Sequence, residues 1–119
     1  MTKKQQLRKR ADKLWYELLL VPECEICGKP ARQVHHYFFK SSYGHLRYDL
    51  DNGISLCQSC HFVLHHQDPK KIEALIIENR GKKWHNKLQK KAQTPPPPSY
   101  QTIGYYEDII KKLEHKASD

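Results

Sequence analysis

Nowhere in the 119 residues does an apolar run approach the ~18 residues that a membrane-spanning helix needs. That argues against a membrane partner. The basic N-terminus, Met1-Thr2-Lys3-Lys4-Gln5-Gln6, is not followed by an apolar segment and a small-residue cleavage site. This reads against secretion and for a cytoplasmic setting. There is no internal repeat beyond two short cysteine pairs, and no cysteine is left over once the four are assigned to them. Apolar content is modest at 38%, and the length suffices for one small core rather than two. Domains of this size are often held by a metal, and in a reducing compartment four clustered cysteines favour zinc over disulfides.

What is present concentrates in Cys57-Gln58-Ser59-Cys60-His61-Phe62-Val63-Leu64-His65. Cys57 and Cys60 have the two-residue gap of a zinc half-site. His61 and His65, four apart, share one face if the run is helical. Cys24 and Cys27 form a second pair with the same gap, followed by Gly28-Lys29-Pro30, the turn chemistry a metal knuckle needs. The 29 residues between Cys27 and Cys57 make a long loop, but the pattern is that of a four-cysteine structural zinc site. Between the pairs lie His35-His36 and Asp51-Asn52-Gly53, which supply a second, histidine-based site.

Charge is uneven. The net value is +8, yet residues 21–81 sum to zero, while residues 1–20 contribute +4 and residues 82–91, with Lys82, Lys83, Lys87, Lys90 and Lys91 and no acid, contribute +5. Two basic flanks beside a metal core suit a phosphate backbone, although a basic helix can equally be a solvated face.

The pattern predicts a helix over residues 4–20, with Leu7, Ala11, Leu14 and Leu18 as one apolar stripe widened by Trp15, Leu19 and Val21. It packs on the small core, and DNA contact from its basic face is compatible with that. Pro22 ends it. Residues 33–38 read as a short strand, in which His35 and His36 point to opposite faces and so take different jobs. Residues 39–50 are a loop. Asp51-Asn52-Gly53 reads as a turn joining two strands, Ile54-Ser55-Leu56 as the second strand, and Gln58 to His66 as a helix. Asp68 caps a further helix with Pro69 at its first position and Gly81 at its end. Residues 82–92 are a basic helical segment with Trp84 and Leu88 four apart. Thr94-Pro95-Pro96-Pro97-Pro98-Ser99 is a spacer. Beyond it Ile103 to Lys116 forms a short amphipathic helix that docks on the core, pairs with another copy or another protein, or frays.

Strand with His35-His36, Asn52, strand, then helix with His61 and His65: this order resembles the HNH endonuclease family, whose core is a ββα-metal finger. Cys24, Cys27, Cys57 and Cys60 match the zinc knuckles that frame the motif in many members, and His36, Asn52 and His61 match its three namesakes. The resemblance covers about residues 23–66. It implies an α+β fold, a small zinc-stapled, treble-clef-like ββα finger with flanking α-helices. The organisation that goes with it is a basic helix at 1–22, the nuclease domain at 23–92, a Pro-rich linker at 93–102 and a helical tail at 103–119. One departure stands out. Many members follow the histidine pair with a small aliphatic residue and a proline, and here Tyr37-Phe38-Phe39 follows. Leu46-Arg47-Tyr48-Asp49 ahead of Asn52, with Cys57 and Cys60 behind, is loosely similar to phage members, which implies a bacterial or phage-infected cell.

By that resemblance the chain is a metal-dependent DNA endonuclease, nicking or cutting both strands, with DNA as partner. His36 is the general base, a neutral imidazole that takes a proton near neutral pH. His35 and His61 hold the catalytic divalent metal, His65 is a third ligand or a phosphate contact, and Asn52 pins the loop that orients His36. The metal is Mg²⁺ or Mn²⁺ in the first place, with Ni²⁺ or Zn²⁺ as alternatives that imidazoles accept. Arg47, Lys82, Lys83 and Lys87 are candidate phosphate contacts. His45, His66, His85 and His115 read as structural or surface residues, and Asp49 and Asp51 as solvated loop acids. The alternative from another class is a nucleic-acid-binding zinc module without catalysis, which would have no need of His36 together with Asn52.

Overall fold

The structure, a computed structural model, describes residues 1–118. It is a mixed α+β chain: α1 (Lys3–Leu19), β1 (Gln33–His36), β2 (Gly53–Leu56), α2 (Gln58–His66), α3 (Pro69–Arg80), α4 (Lys82–Gln93) and α5 (Ile103–Ser118). No helix among the described residues is long and apolar enough to cross a membrane. The chain divides into two compact units, one of Leu19–Thr94 and one of Met1–Leu18 with the residues from Pro95 onward.

In the Leu19–Thr94 unit, β1 and β2 pair antiparallel, with His35 opposite Ile54 and His36 opposite Gly53. Ile54 and Leu56 are fully buried and join Cys24, Cys57, Leu64, Ile72 and Ile76 in one core. Two of those seven are cysteines of the two Cys-x-x-Cys pairs, so the four-cysteine cluster is part of the core. Asp68 caps α3 by accepting from the Lys71 N–H, with Pro69 just inside the helix. Gly81, at φ 96°, ends α3 and opens α4; a side chain would be strained in that conformation.

The expected strand-joining turn at Asp51-Asn52-Gly53 is corrected. Gly53 is extended (φ −106°) and already belongs to β2. The strands are joined by the whole of residues 37–52, which contain 3₁₀ turns at Gly44–Leu46 and Leu50–Asn52. Asn52 closes the second of these, and its side chain, fully buried, serves the loop rather than a hairpin.

In the other unit, α1 buries Ala11 and Trp15, and α5 buries Tyr105, Tyr106, Ile110 and Leu113. Arg10 pairs with Glu114 at 2.8 Å across the two helices. Val21, expected to widen the α1 stripe, lies outside the helix and is exposed.

Candidate active site and zinc cluster

The zinc knuckles are built by local backbone hydrogen bonds. The Cys24 N–H donates to the Lys29 carbonyl at 2.7 Å, and the Gly28 N–H donates to the Cys24 carbonyl at 3.0 Å. Gly28 supplies the positive φ (76°) that closes this turn. The second knuckle opens α2. The Cys57 sulfur accepts from the Cys60 N–H at 3.3 Å and so acts as the helix N-cap. The four sulfurs lie within 4.8 Å of one another, and Cys27 and Cys57 approach to 3.4 Å. Tetrahedral Zn–S bonds of ~2.3 Å separate sulfurs by ~3.8 Å, so the four thiols fit a zinc ion. Burial opposes ionisation of Cys24, yet hydrogen bonds from the backbone of Cys27, Cys57 and Ile26 bring it down to about 7. Cys60 is pushed upward by burial and by the other three thiols. Four crowded thiols do not all ionise without a cation to neutralise them.

The second cluster forms because alternate residues of a strand face opposite ways. On β1, His35 turns into the core (8% exposed). Its ring meets those of His65 and His61, with centroids 5.3 and 6.1 Å away. His61 and His65, one turn apart on α2, sit 4.2 Å ring to ring. The ligand nitrogens of the three lie within 4.8 Å of one another, close to the ~3–3.5 Å spacing that a divalent ion with ~2.1 Å bonds imposes. Burial, then the neighbouring charges of His65, His61 and His36, pushes His35 down to about 3. Burial, then the neighbouring charges of His65 and His66, lowers His61. Both are therefore neutral at physiological pH, the form that ligates metal.

His36 leaves the other face of β1. Its Nε2 lies 3.0 Å from the Arg47 carbonyl. A carbonyl can only accept, so Nε2 carries the proton and Nδ1 is the accepting nitrogen of the neutral ring. The loop that supplies this carbonyl is held by Asn52. Its Oδ1 accepts from the Phe38 N–H at 2.8 Å, and its Nδ2 donates to the carbonyls of Phe38 (3.0 Å) and Leu46 (3.1 Å). The Tyr37 N–H donates to the Asn52 carbonyl at 2.8 Å. Asn52 thus fixes both chain segments that flank His36, the residues after it and the residue before Arg47.

Other sequence candidates lie elsewhere. Arg47 sits with its guanidinium 5.7 Å from the Tyr48 ring centroid, and its backbone, rather than its charge, reaches His36. Lys82, Lys83 and Lys87 are exposed on α4, with Lys87 3.9 Å from Asp51. Lys91 donates to Asp49 (3.0 Å) and Asp51 (3.4 Å), so these acids are ion-paired. His45 donates to the carbonyls of Lys91 and Ala92 and ties the end of α4 to the loop.

Arg80 is a residue that sequence reasoning missed. It forms a two-pronged pair with Glu25 inside the first knuckle. It also donates to the carbonyls of Asp51 (3.3 Å) and Gly53 (2.8 Å), beside the Trp84 indole, which donates to the same Asp51 carbonyl at 2.9 Å. One side chain thereby ties α3, the zinc knuckle and the strand that follows Asn52. A lone basic residue in a helix's last turn gives no signal of this in the sequence.

Two metal-competent clusters, with an imidazole and a buried asparagine between them, form one continuous segment, and that segment can be compared with known families. Residues 24–67 match the HNH endonuclease family. The matched segment opens at Cys24, closes just after α2, and contains every cysteine, His35, His36, Asn52, His61 and His65. No curated protein and no solved structure matches the chain.

Proposed function

We propose that the chain is a metal-dependent endonuclease that hydrolyses DNA phosphodiester bonds, with His36 as general base. The domain would span residues 23–92, flanked by the basic helix of 1–22, the linker of 93–102 and the tail of 103–119. The observation that carries the reading is the separation of the two histidines of β1. One goes to a three-imidazole cluster, while the other is held by a carbonyl in the tautomer a base requires. His36 takes the proton from the attacking water at Nδ1 while the Arg47 carbonyl holds the opposite nitrogen. Asn52 does not react; it holds the backbone that aims His36. His35, His61 and His65 would hold the divalent ion, Mg²⁺ or Mn²⁺ in the first place. When bound, that ion stabilises charge on the phosphoryl and leaving oxygens. Lys82, Lys83 and Lys87 would contact phosphates along the strand. The four-cysteine zinc is structural, since four thiolates leave no open position.

Cleavage of supercoiled plasmid tests this, with Mg²⁺, Mn²⁺ and chelator arms and His36→Ala in parallel. Metal-dependent nicking that disappears in His36→Ala, with zinc content and DNA affinity retained, is the expected result. Unchanged turnover in that variant would remove His36 as base. Absence of cleavage with every metal would favour a binding module over an enzyme.

A further inference from the structure

Three aromatic residues follow the histidine pair, and the structure uses them differently. Tyr37 packs edge-on against Trp84 (5.1 Å) and Phe38 against Tyr43 (5.0 Å). Phe39 turns outward and is 50% exposed. It touches two members of the imidazole trio, meeting His35 edge-on at 5.7 Å and lying within 18° of parallel to His65 at 6.4 Å. From His65 the rings continue along α2. His66 is 6.4 Å from His65, and Phe62, 52% exposed, is 4.9 Å from His66. Phe62 in turn lines an open recess of about 440 Å³ with Gln58, Ser59, Val63 and Gln67. An exposed band of rings therefore starts at the trio and ends in a recess bearing two amides and a hydroxyl.

We propose that this band is a stacking track for the bases of single-stranded or locally unpaired DNA, with Phe39 as the positioning residue beside the scissile phosphate. The inference rests on the endonuclease reading above. A nucleotide whose phosphate meets the trio carries its base one sugar away, within reach of Phe39. In a duplex that base is stacked and paired and cannot lie on a phenyl ring; in a single strand its face is open, and ring faces accept any base. The amides of Gln58 and Gln67 and the Ser59 hydroxyl offer donors and acceptors to the edge of a base lodged against Phe62. The five lysines of residues 82–91, in the same compact unit as the band, draw in the polyanion, and the rings select its strandedness.

The test uses the zinc-loaded full chain on the His36→Ala background, so that bound DNA stays intact. Short oligonucleotides containing 2-aminopurine are compared as single strand and as duplex at one salt concentration. Single strands should bind more tightly than duplex, with fluorescence quenched by stacking. Adding Phe39→Ala should cost roughly tenfold in single-strand affinity and restore the fluorescence, with duplex binding unchanged, while Phe39→Trp should keep both. Equal affinity for both strand forms, or equal weakening of both by Phe39→Ala, would overturn the track, and insensitivity of DNA binding to Phe39 would leave a protein as the occupant of the band. Cleavage by the wild-type chain is scored separately. Absent cleavage with the stacking signature intact overturns the endonuclease reading alone, and active cleavage without that signature overturns the track alone.

Discussion

Asn52 offers the sharpest test of how the site is held. Its side chain is completely buried and makes three hydrogen bonds, one accepted and two donated. Asn52→Ala strands the Phe38 N–H and carbonyl, while the Leu46 carbonyl keeps the Asp49 N–H. Each unsatisfied buried group costs about 1–3 kcal/mol. With water refilling part of the space, a total loss of roughly 3–4 kcal/mol is expected, a large share of the ~5–15 kcal/mol a domain possesses. At ~4–8 °C per kcal/mol for a small domain, the melting temperature should fall by about 12–32 °C. Asn52→Asp has nearly the same shape and keeps the acceptor for Phe38, yet it should be worse than Ala at neutral pH. It replaces two donors by an oxygen that faces carbonyl oxygens at 3.0 and 3.1 Å. The carboxyl would then be forced toward its protonated form, so its folded pKa rises above the unfolded one. Its destabilisation should therefore shrink as pH falls, and grow as pH rises through the folded value. Thermal melts of the zinc-loaded variants at several pH values read this directly. If Asn52→Asp melts with or above Asn52→Ala at neutral pH, the assignment of the amide donors is wrong.

Four further outcomes are expected. Serine at any one of Cys24, Cys27, Cys57 or Cys60 should release zinc and abolish cooperative melting, because metal binding supplies much of the folding energy in such domains; zinc content and a calorimetric scan check it. Arg80→Ala should cost roughly 2–4 kcal/mol by denaturant titration, since it leaves Glu25 and the Gly53 carbonyl without this donor, while the Asp51 carbonyl keeps the Trp84 indole; Arg80→Lys should recover little of this, because one ammonium cannot reproduce the fork. A chain ending at Thr94 should keep its zinc and the melting of the Leu19–Thr94 unit, as read by zinc content and near-UV dichroism, because that unit has its own core. Burial, then the charges of Tyr100 and Tyr106, holds Tyr105 up to about 12. Below the ordinary tyrosine value both folded and unfolded states keep the proton. Between that value and about 12 only the unfolded state loses it, so stability should fall as pH rises through this window, and alkaline absorbance titration should show delayed ionisation of Tyr105, with Tyr37 also held up by burial and by Glu73.

The two side-chain clusters were legible in the sequence because metal chemistry leaves periodic traces. A two-residue gap fixes a cysteine knuckle, a four-residue gap fixes two imidazoles on one helix face, and two adjacent histidines in a strand must part. The helices around them were legible from caps, as with Asp68-Pro69 and Gly81. What the sequence hid is held by backbone carbonyls. Asn52-Gly53 has the composition of a tight turn, and nothing local shows that the asparagine is instead swallowed by residues 37–52 and bonded to Phe38 and Leu46. Arg80 has the same character: its partners, Glu25, Asp51 and Gly53, are 27 to 55 positions away.

These hidden contacts bear on how the four-cysteine and three-histidine clusters depend on each other. Cys57 and Cys60 fix the N-terminus of α2, and Cys57 also caps it, so the zinc knuckle sets the rotational phase of the helix. His61 follows Cys60 directly, and a helix residue turns by ~100° per position. Rotating α2 by one residue would carry His61 and His65 away from His35. The second constraint comes from β1, which presents His35 only while β2 pairs with it, and Arg80 holds β2 at the Gly53 carbonyl. Loss of structural zinc should therefore disperse the three imidazoles as well as loosen the core. A Cys60→Ser variant that still bound a second divalent ion at His35, His61 and His65 with undiminished affinity would show that the helix keeps its phase without the knuckle, and the coupling would be disproved.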